Sequence, residues 1–222
     1  MQNQKLRRSG DRISQVPEDD AGRIHRSALT LASSTRLFYL MGASGSGKDS
    51  LLRLVRERLN GLPCLTAHRY ITRPPELRGE NHVWLAPDEF QARKALGAFA
   101  MSWEANGYWY GIGQEIDHWL ASGSHVLVNG SRAYAEDARK QYGDRLIPLV
   151  LDVAPEILKA RLLDRGRESI ADIERRVARA ASMKGSIPPG TILIDNNQDI
   201  DTAVRQLLDL ISSHSTAMSD RS

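Results

Sequence analysis

At 222 residues the chain is long enough to bury one central sheet and too short for two ordinary domains with linkers. A hydrophobic fraction of 41% with 26% charged residues sets it apart from disordered and membrane proteins, and a formal charge of +3, its basic residues interleaved with acidic ones, gives no basic stripe for nucleic acid. The only cysteine, Cys64, has no internal disulfide partner, no run approaches the roughly 18 apolar residues of a membrane span, and the amino terminus lacks a signal-like apolar core, so the expectation is a cytoplasmic protein without membrane partners.

Residues 1–33 are polar and charged with no sustained period, which reads as a solvated tail, and residues 214–222 read as a second, short one. Between them, residues 34–213 are expected to form the catalytic domain. Its first feature is the apolar run Arg36 to Met41, followed by a glycine-rich turn and then Leu51 to Leu59 at helical spacing. Further strand-like runs follow at Cys64 to Ile71, Val126 to Val128, Leu146 to Leu151 and Thr191 to Ile194. Helical patterns lie at Asp88 to Leu96, Gln114 to Ala121, Ala133 to Tyr142, Pro155 to Leu163, Ile170 to Ala181 and Ile200 to Ile211. Parallel pairing needs a crossover and a helix is the usual one, so the alternation predicts an α/β fold with a mostly parallel sheet flanked by helices.

The turn after the first strand, Gly42-Ala43-Ser44-Gly45-Ser46-Gly47-Lys48-Asp49-Ser50, fits the P-loop pattern G-x-x-x-x-G-K in the strand-to-helix setting that pattern requires. Its glycines let successive N–H groups converge on phosphate oxygens, the helix adds its positive end, and Lys48 supplies a mobile cation for the β- and γ-phosphates. ATP is therefore the expected ligand. The Ser or Thr that normally follows the lysine and touches Mg²⁺ is here Asp49, with Ser50 next. Asp49 and Ser50 are the candidate metal ligands, a carboxylate being a hard oxygen donor suited to Mg²⁺; the alternative is that Asp49 only begins the helix, where acidic groups are favoured.

Downstream, Thr72-Arg73-Pro74-Pro75, Gly79-Glu80, Asp88-Glu89-Phe90 and the stretch from Phe99 to Gly113 resemble the acceptor-binding segment of guanylate kinases, and with the P-loop and a later arginine segment the likeness covers residues 36 to about 210. The resemblance implies a P-loop kinase fold with acceptor-binding and lid segments. It also places Met101 and Ile112 where guanylate kinases carry the base-reading Glu and Ser or Thr, and neither side chain can hydrogen-bond a guanine edge. Arg73 and Tyr110 keep family positions, Arg69 stands where a Ser is usual, the second family arginine is Glu76, and His82 replaces a phosphate-binding Tyr. Arg69, Arg73 and Arg78 form a cationic cluster able to present planar forks to phosphate, or else a solvated face.

These departures, with the GKDS form of the P-loop, HRYITRP (His68 to Pro74), GENHV (Gly79 to Val83) and VNGSR (Val128 to Arg132), resemble the ribose 1,5-bisphosphate phosphokinases of phosphonate breakdown. That resemblance implies transfer from ATP to ribose 1,5-bisphosphate, giving 5-phosphoribosyl 1-diphosphate (PRPP), with Mg²⁺ and a small phosphorylated sugar as the only partners; it carries no information on oligomeric state. Asn129 and Ser131 would meet ribose hydroxyls, or they simply form a turn after a strand. Arg161, Arg165, Arg167 and Arg176 fall in a segment that resembles the mobile lid of nucleoside monophosphate kinases; Arg165, Arg167 and Arg176 are the expected catalytic cations beside Lys48, whereas Arg161 could pair with an acid of its own helix. Ile194-Asp195-Asn196-Asn197 resembles the turn beside adenine, or is a plain capping turn. A guanylate or other nucleoside monophosphate kinase, and a non-catalytic binding module, are the other readings.

Overall fold

The computed structural model of the chain describes residues 35–75, 81–166, 168–182 and 187–219. The tail at 1–33, together with Arg78, Glu76, Gly79, Glu80 and Arg167, lies outside the described residues. In chain order the elements are β1 (Leu37–Gly42), α1 (Lys48–Arg58), β2 (Cys64–Thr66), β3 (Arg69–Ile71), β4 (Val83–Trp84), α2 (Pro87–Ala95), β5 (Phe99–Ala105), β6 (Tyr108–Gly113), α3 (Glu115–Ala121), β7 (His125–Asn129), α4 (Ala135–Tyr142), β8 (Leu146–Asp152), α5 (Pro155–Arg165), α6 (Ile170–Ser182), β9 (Ile192–Asp195) and α7 (Ile200–Ser219).

Five strands form a parallel sheet in the order β2-β7-β1-β8-β9. β1 is its centre, and its continuous apolar run is what a strand covered on both faces requires. Because successive side chains alternate, Phe38 and Leu40 face one layer, packing with Leu51 and Val55 of α1 and Val204, Leu207 and Ile211 of α7. Leu37, Tyr39 and Met41 face the other, packing with Ile116 and Leu120 of α3, Ala138 of α4 and the second sheet described next. Each such aliphatic side chain taken fully out of water contributes about 1.5–3 kcal/mol, so β1 alone ties both layers together.

The second sheet, in the order β4-β3-β6-β5, is the chief departure from the sequence expectation. The run Cys64 to Ile71 is not one strand: Cys64–Thr66 joins the parallel sheet, and after Ala67 and His68 the chain crosses over so that Arg69–Ile71 pairs with β6. β5 and β6 form an antiparallel hairpin about Asn106 and Gly107, both at positive φ (52° and 77°), the geometry that an Asn-Gly turn between alternating strands favours. Its inward residues Met101, Trp103, Tyr110 and Ile112 complete the core beneath Ile71. At the far end α7 continues through Ser219, well past Ile211, and the ring of His214 packs edge-on against Phe38 at 5.5 Å. No helix among the described residues is long and apolar enough to cross a membrane.

A buried polar group opens β7. His125, the first residue of β7, is fully buried; its Nδ1 accepts the backbone N–H of Arg36 at 2.9 Å. Burial, reinforced by the charges of His214 and Arg36, pushes the imidazole pKa down to about 4. The folded value lies below the ~6.5 of an unfolded histidine, so the neutral ring contributes fully above that pH, and its contribution is lost as pH falls toward 4. His125→Asn keeps an acceptor for Arg36 without a titrating group. In denaturant titrations at pH 7 and 4.5, the stability advantage of the wild type over this variant should shrink by about 1–3 kcal/mol on acidification; an advantage independent of pH would contradict the assignment.

Candidate active site

The phosphate loop leaves β1 at Gly42 and enters α1 at Lys48. Gly45 and Gly47 take φ values of 90° and 97°, which curl the chain, and Ser46 N–H closes the turn on the Ala43 carbonyl at 3.1 Å. The first N–H groups of α1 have no intrahelical acceptors, and no side chain caps them. They are the donors an anion needs, backed by the positive end of the helix. Lys48 bends back over this curl, donating from Nζ to the carbonyls of Gly42 (2.8 Å) and Ala43 (2.9 Å). The ammonium is thus held where phosphate oxygens can replace those carbonyls.

A loop of glycine, alanine and serine cannot fix its own shape, and two neighbours do it instead. From the turn after β9, the buried Asn196 donates Nδ2–H to the Ser46 carbonyl at 2.7 Å. A β-carbon at Gly47 would stand only 2.9 Å from that same nitrogen. Arg161 of α5 in turn donates to the backbone carbonyls of Asn196 (2.9 Å) and Gln198 (3.3 Å). Its partners are thus the carbonyls of a neighbouring turn, not an acid of its own helix. Asn197 accepts the Ala154 N–H at 2.6 Å, so the same turn also fixes the start of α5.

The second neighbour is the helical hairpin α5–α6, the predicted lid. Leu158, Leu162 and Ile173 form a small core with Val153, and Ala43 of the loop packs against it. Leu162 presses so closely that a β-carbon on Gly45 would lie 2.7 Å from its Cδ2. Arg176 reaches from α6 to the loop tip, donating Nη1–H to Ser44 Oγ at 2.8 Å while its Nε lies 3.1 Å from Glu168 Oε2. Arg165 ends α5 on the exposed side, before Gly166. Of the lid cations expected from sequence, the structure brings Arg176 to the loop and leaves Arg165 in solvent.

Asp49, in the first turn of α1, accepts Nδ2–H from Asn129 at 3.2 Å, which joins the phosphate loop to the carboxyl end of β7. It lies beside Ser50, both exposed. Carboxylate and hydroxyl oxygens at this place are a hard donor pair that fits Mg²⁺, and they also suit a helix start.

On the acceptor side, Arg69 lies over the ring of Tyr110 at 5.2 Å, Tyr110 stacks on Trp103 at 5.7 Å, and Trp103 stacks on Tyr134 at 5.6 Å. A guanidinium over an aromatic face is held in orientation by the ring quadrupole. Tyr39, from β1, fixes the turn after β7: its hydroxyl donates to the Ser131 carbonyl and accepts the Ser131 N–H, both at 2.9 Å. His82 donates from Nε2 to the Arg73 carbonyl at 3.0 Å, so it shapes the segment carrying Arg73. Met101 and Ile112 pair across β5–β6 and are shut inside the core, 1% and 0% exposed. Asn196, Arg161 and Tyr39 act as positioning groups, a role that sequence patterns do not give them; each acts on main-chain atoms distant in sequence, which no local motif records.

No family model matches the chain. The structure is similar to that of guanylate kinase from Anaplasma phagocytophilum, with a TM-score of 0.61 at 14% identity, covering 82% of this chain and 86% of that one. Fold and phosphate loop together define a guanylate-kinase-like P-loop kinase. In sequence the chain is 48% identical over 180 residues to the ribose 1,5-bisphosphate phosphokinase PhnN of Pectobacterium atrosepticum, covering 80% of this chain and 94% of the relative. It is 50% identical over 182 residues to that of Thiobacillus denitrificans, covering 81% and 94%. The chain belongs to the PhnN family of ribose 1,5-bisphosphate phosphokinases.

Two substitutions separate the parts of this loop. Lys48→Met should lower turnover by about 10²–10³ in a steady-state assay, since it removes charge from the transferring group; unchanged turnover would discard the phosphate-loop assignment. Asn196→Ala leaves the Ser46 carbonyl without its donor, and should destabilise the fold by about 1–3 kcal/mol in thermal unfolding and raise the KM for ATP. If ATP binding does not change in this variant, Asn196 does not shape the loop.

Proposed function

We propose that the protein transfers the γ-phosphoryl group of ATP to the 1-phosphate of ribose 1,5-bisphosphate, yielding ADP and PRPP, within phosphonate catabolism in the cytoplasm. The observation that carries this reading is the 48–50% identity to ribose 1,5-bisphosphate phosphokinases over about four fifths of the chain. The acceptor side supports it. Met101 and Ile112, in the positions that resemble the base-reading pair of guanylate kinases, are apolar and enclosed, while Arg69 on β3 and Arg73 just after it supply cations to the same segment. A bisphosphate sugar asks for cations and has no purine edge to satisfy.

The reaction forms a bond from a 1-phosphate oxygen to the γ-phosphorus as the bond from that phosphorus to the β,γ-bridging oxygen breaks, the electron pair leaving with ADP. The attacking oxygen is ionised at neutral pH, so no side chain needs to take a proton. Residues of the chain then act by alignment and charge. The loop amides from Gly42 to Ser50 bind the β- and γ-phosphates; Lys48 exchanges the Gly42 and Ala43 carbonyls for γ-oxygens. Arg176, already at Ser44, moves a short distance to the transferring group, and Arg165 and Arg167 approach as the lid closes and excludes water. Arg69, Arg73, Arg78, His82 and Tyr110 receive the acceptor phosphates, and Asn129 and Ser131 receive its ribose hydroxyls. Asp49 and Ser50 would hold Mg²⁺, which when bound neutralises charge on the β- and γ-oxygens.

An acceptor comparison read by product mass tests the reading: with ATP and Mg²⁺, kcat/KM for ribose 1,5-bisphosphate should exceed that for GMP by at least about 10²-fold, the discrimination expected when a polar base finds no partners. Faster turnover of GMP would replace it with a nucleoside monophosphate kinase, and absence of ATP binding by calorimetry would make the domain a non-catalytic binder. Asp49→Ala should raise the Mg²⁺ concentration for half-maximal rate about tenfold or more; an unchanged requirement would return Asp49 to the role of a helix-start residue.

A further inference from the structure

Arg132 follows Ser131 on the turn after β7, and that turn is rigid on three counts. Tyr39 holds Ser131 through both its main-chain groups. Gly130 lies flat on the Tyr39 ring, where a β-carbon would stand 2.3 Å from Cζ, so no other residue fits without displacing the ring. The Arg132 carbonyl accepts the N–H of Ala135, which starts α4. A side chain mounted on such a turn has its origin fixed before any ligand arrives.

The guanidinium on that mount is uncompensated. Its Nη1 is buried with no hydrogen-bond partner, and among the described residues no carboxylate pairs with it. Partial burial lowers its pKa. An arginine cannot shed its proton, and a half-buried guanidinium with one nitrogen closed off from water gains most from a ligand that brings acceptors to it. The setting says what that is. Two residues before Arg132 comes Gly130, and one further back Asn129, bonded to Asp49 at the head of α1. Two residues after it comes Tyr134, stacked on Trp103 in the column that ends at Arg69. The turn thus joins the phosphate loop to the cationic acceptor wall.

We infer that Arg132 binds a phosphate group of the acceptor, as a ligand cation additional to Arg69 and Arg73. This rests on the proposed reading of the acceptor as a phosphorylated sugar. A planar fork takes two oxygens of a phosphate monoester at once, and the incoming dianion supplies the acceptors that Nη1 lacks in the free protein.

The test compares wild type with Arg132→Met and Arg132→Lys in the full-length protein. Steady-state KM is measured for ribose 1,5-bisphosphate and for ATP, and Tm is measured without ligand and with inorganic phosphate while β,γ-imido-ATP and Mg²⁺ fill the phosphate loop. Arg132→Met should raise the KM for the sugar about tenfold or more, leave the KM for ATP within about twofold, abolish the phosphate-induced rise in Tm, and unfold in the absence of ligand no earlier than wild type. Arg132→Lys should recover part of the affinity. A lower Tm without ligand, with the sugar KM and the phosphate response both unchanged, would make Arg132 a structural residue and overturn the inference. If wild type fails to phosphorylate ribose 1,5-bisphosphate, the proposed function falls, and the phosphate response of the two proteins still decides the role of Arg132.

Discussion

The hydrogen bond from the buried amide of Asn196 to the carbonyl of Ser46 ties the phosphate loop to the turn after β9. The loop needs such an external hold because its work is done by main-chain N–H groups, which large side chains would cover. Small residues expose those donors but bring no packing of their own. Shape is therefore imposed from outside, by β1 below, by Asn196 at the side and by Leu162 above. Arg161 extends the hold, since its bonds to the Asn196 and Gln198 carbonyls make the lid helix and the β9 turn one unit. Any movement of α5 is then felt by the loop through these polar contacts and through the packing of Leu158 and Leu162 on it.

The acceptor side follows a different logic. There the scaffold is aromatic: Tyr134, Trp103 and Tyr110 stack in sequence and present Arg69 at the end of the column. Rigid rings hold a cation in place with little entropy to lose, and they bring no negative charge to it. Tyr39 links the two halves, because it stands on the strand that launches the phosphate loop and grips the turn after β7. Burial holds its phenol pKa above the ordinary value, so at neutral pH the hydroxyl is protonated and serves as both donor and acceptor.

Much of this was legible in the sequence, and the limits are physical. The strand, loop and helix around Gly42 to Ser50 were clear because the chemistry sits in consecutive residues. The parallel sheet was clear because apolar runs alternate with helical periods. The second sheet was not, since Arg69–Ile71 and Val83–Trp84 are too short to show a period of two; only Asn106-Gly107, between aromatic-rich strands, marks a hairpin in the sequence. Among the candidate site residues, Lys48 stands out by motif, and Arg69 and Arg176 by resemblance. Asn196 and Arg161 could not be given their roles, because a side-chain bond to a distant carbonyl leaves no trace in local spacing.

The most direct test is a crystal structure with β,γ-imido-ATP, Mg²⁺ and ribose 1,5-bisphosphate bound together. The account predicts that Lys48 Nζ leaves the Gly42 and Ala43 carbonyls for the γ-phosphate, with the sugar 1-phosphate facing that phosphorus in line. A triphosphate lying away from the curl, with Lys48 still on its own carbonyls, would contradict it.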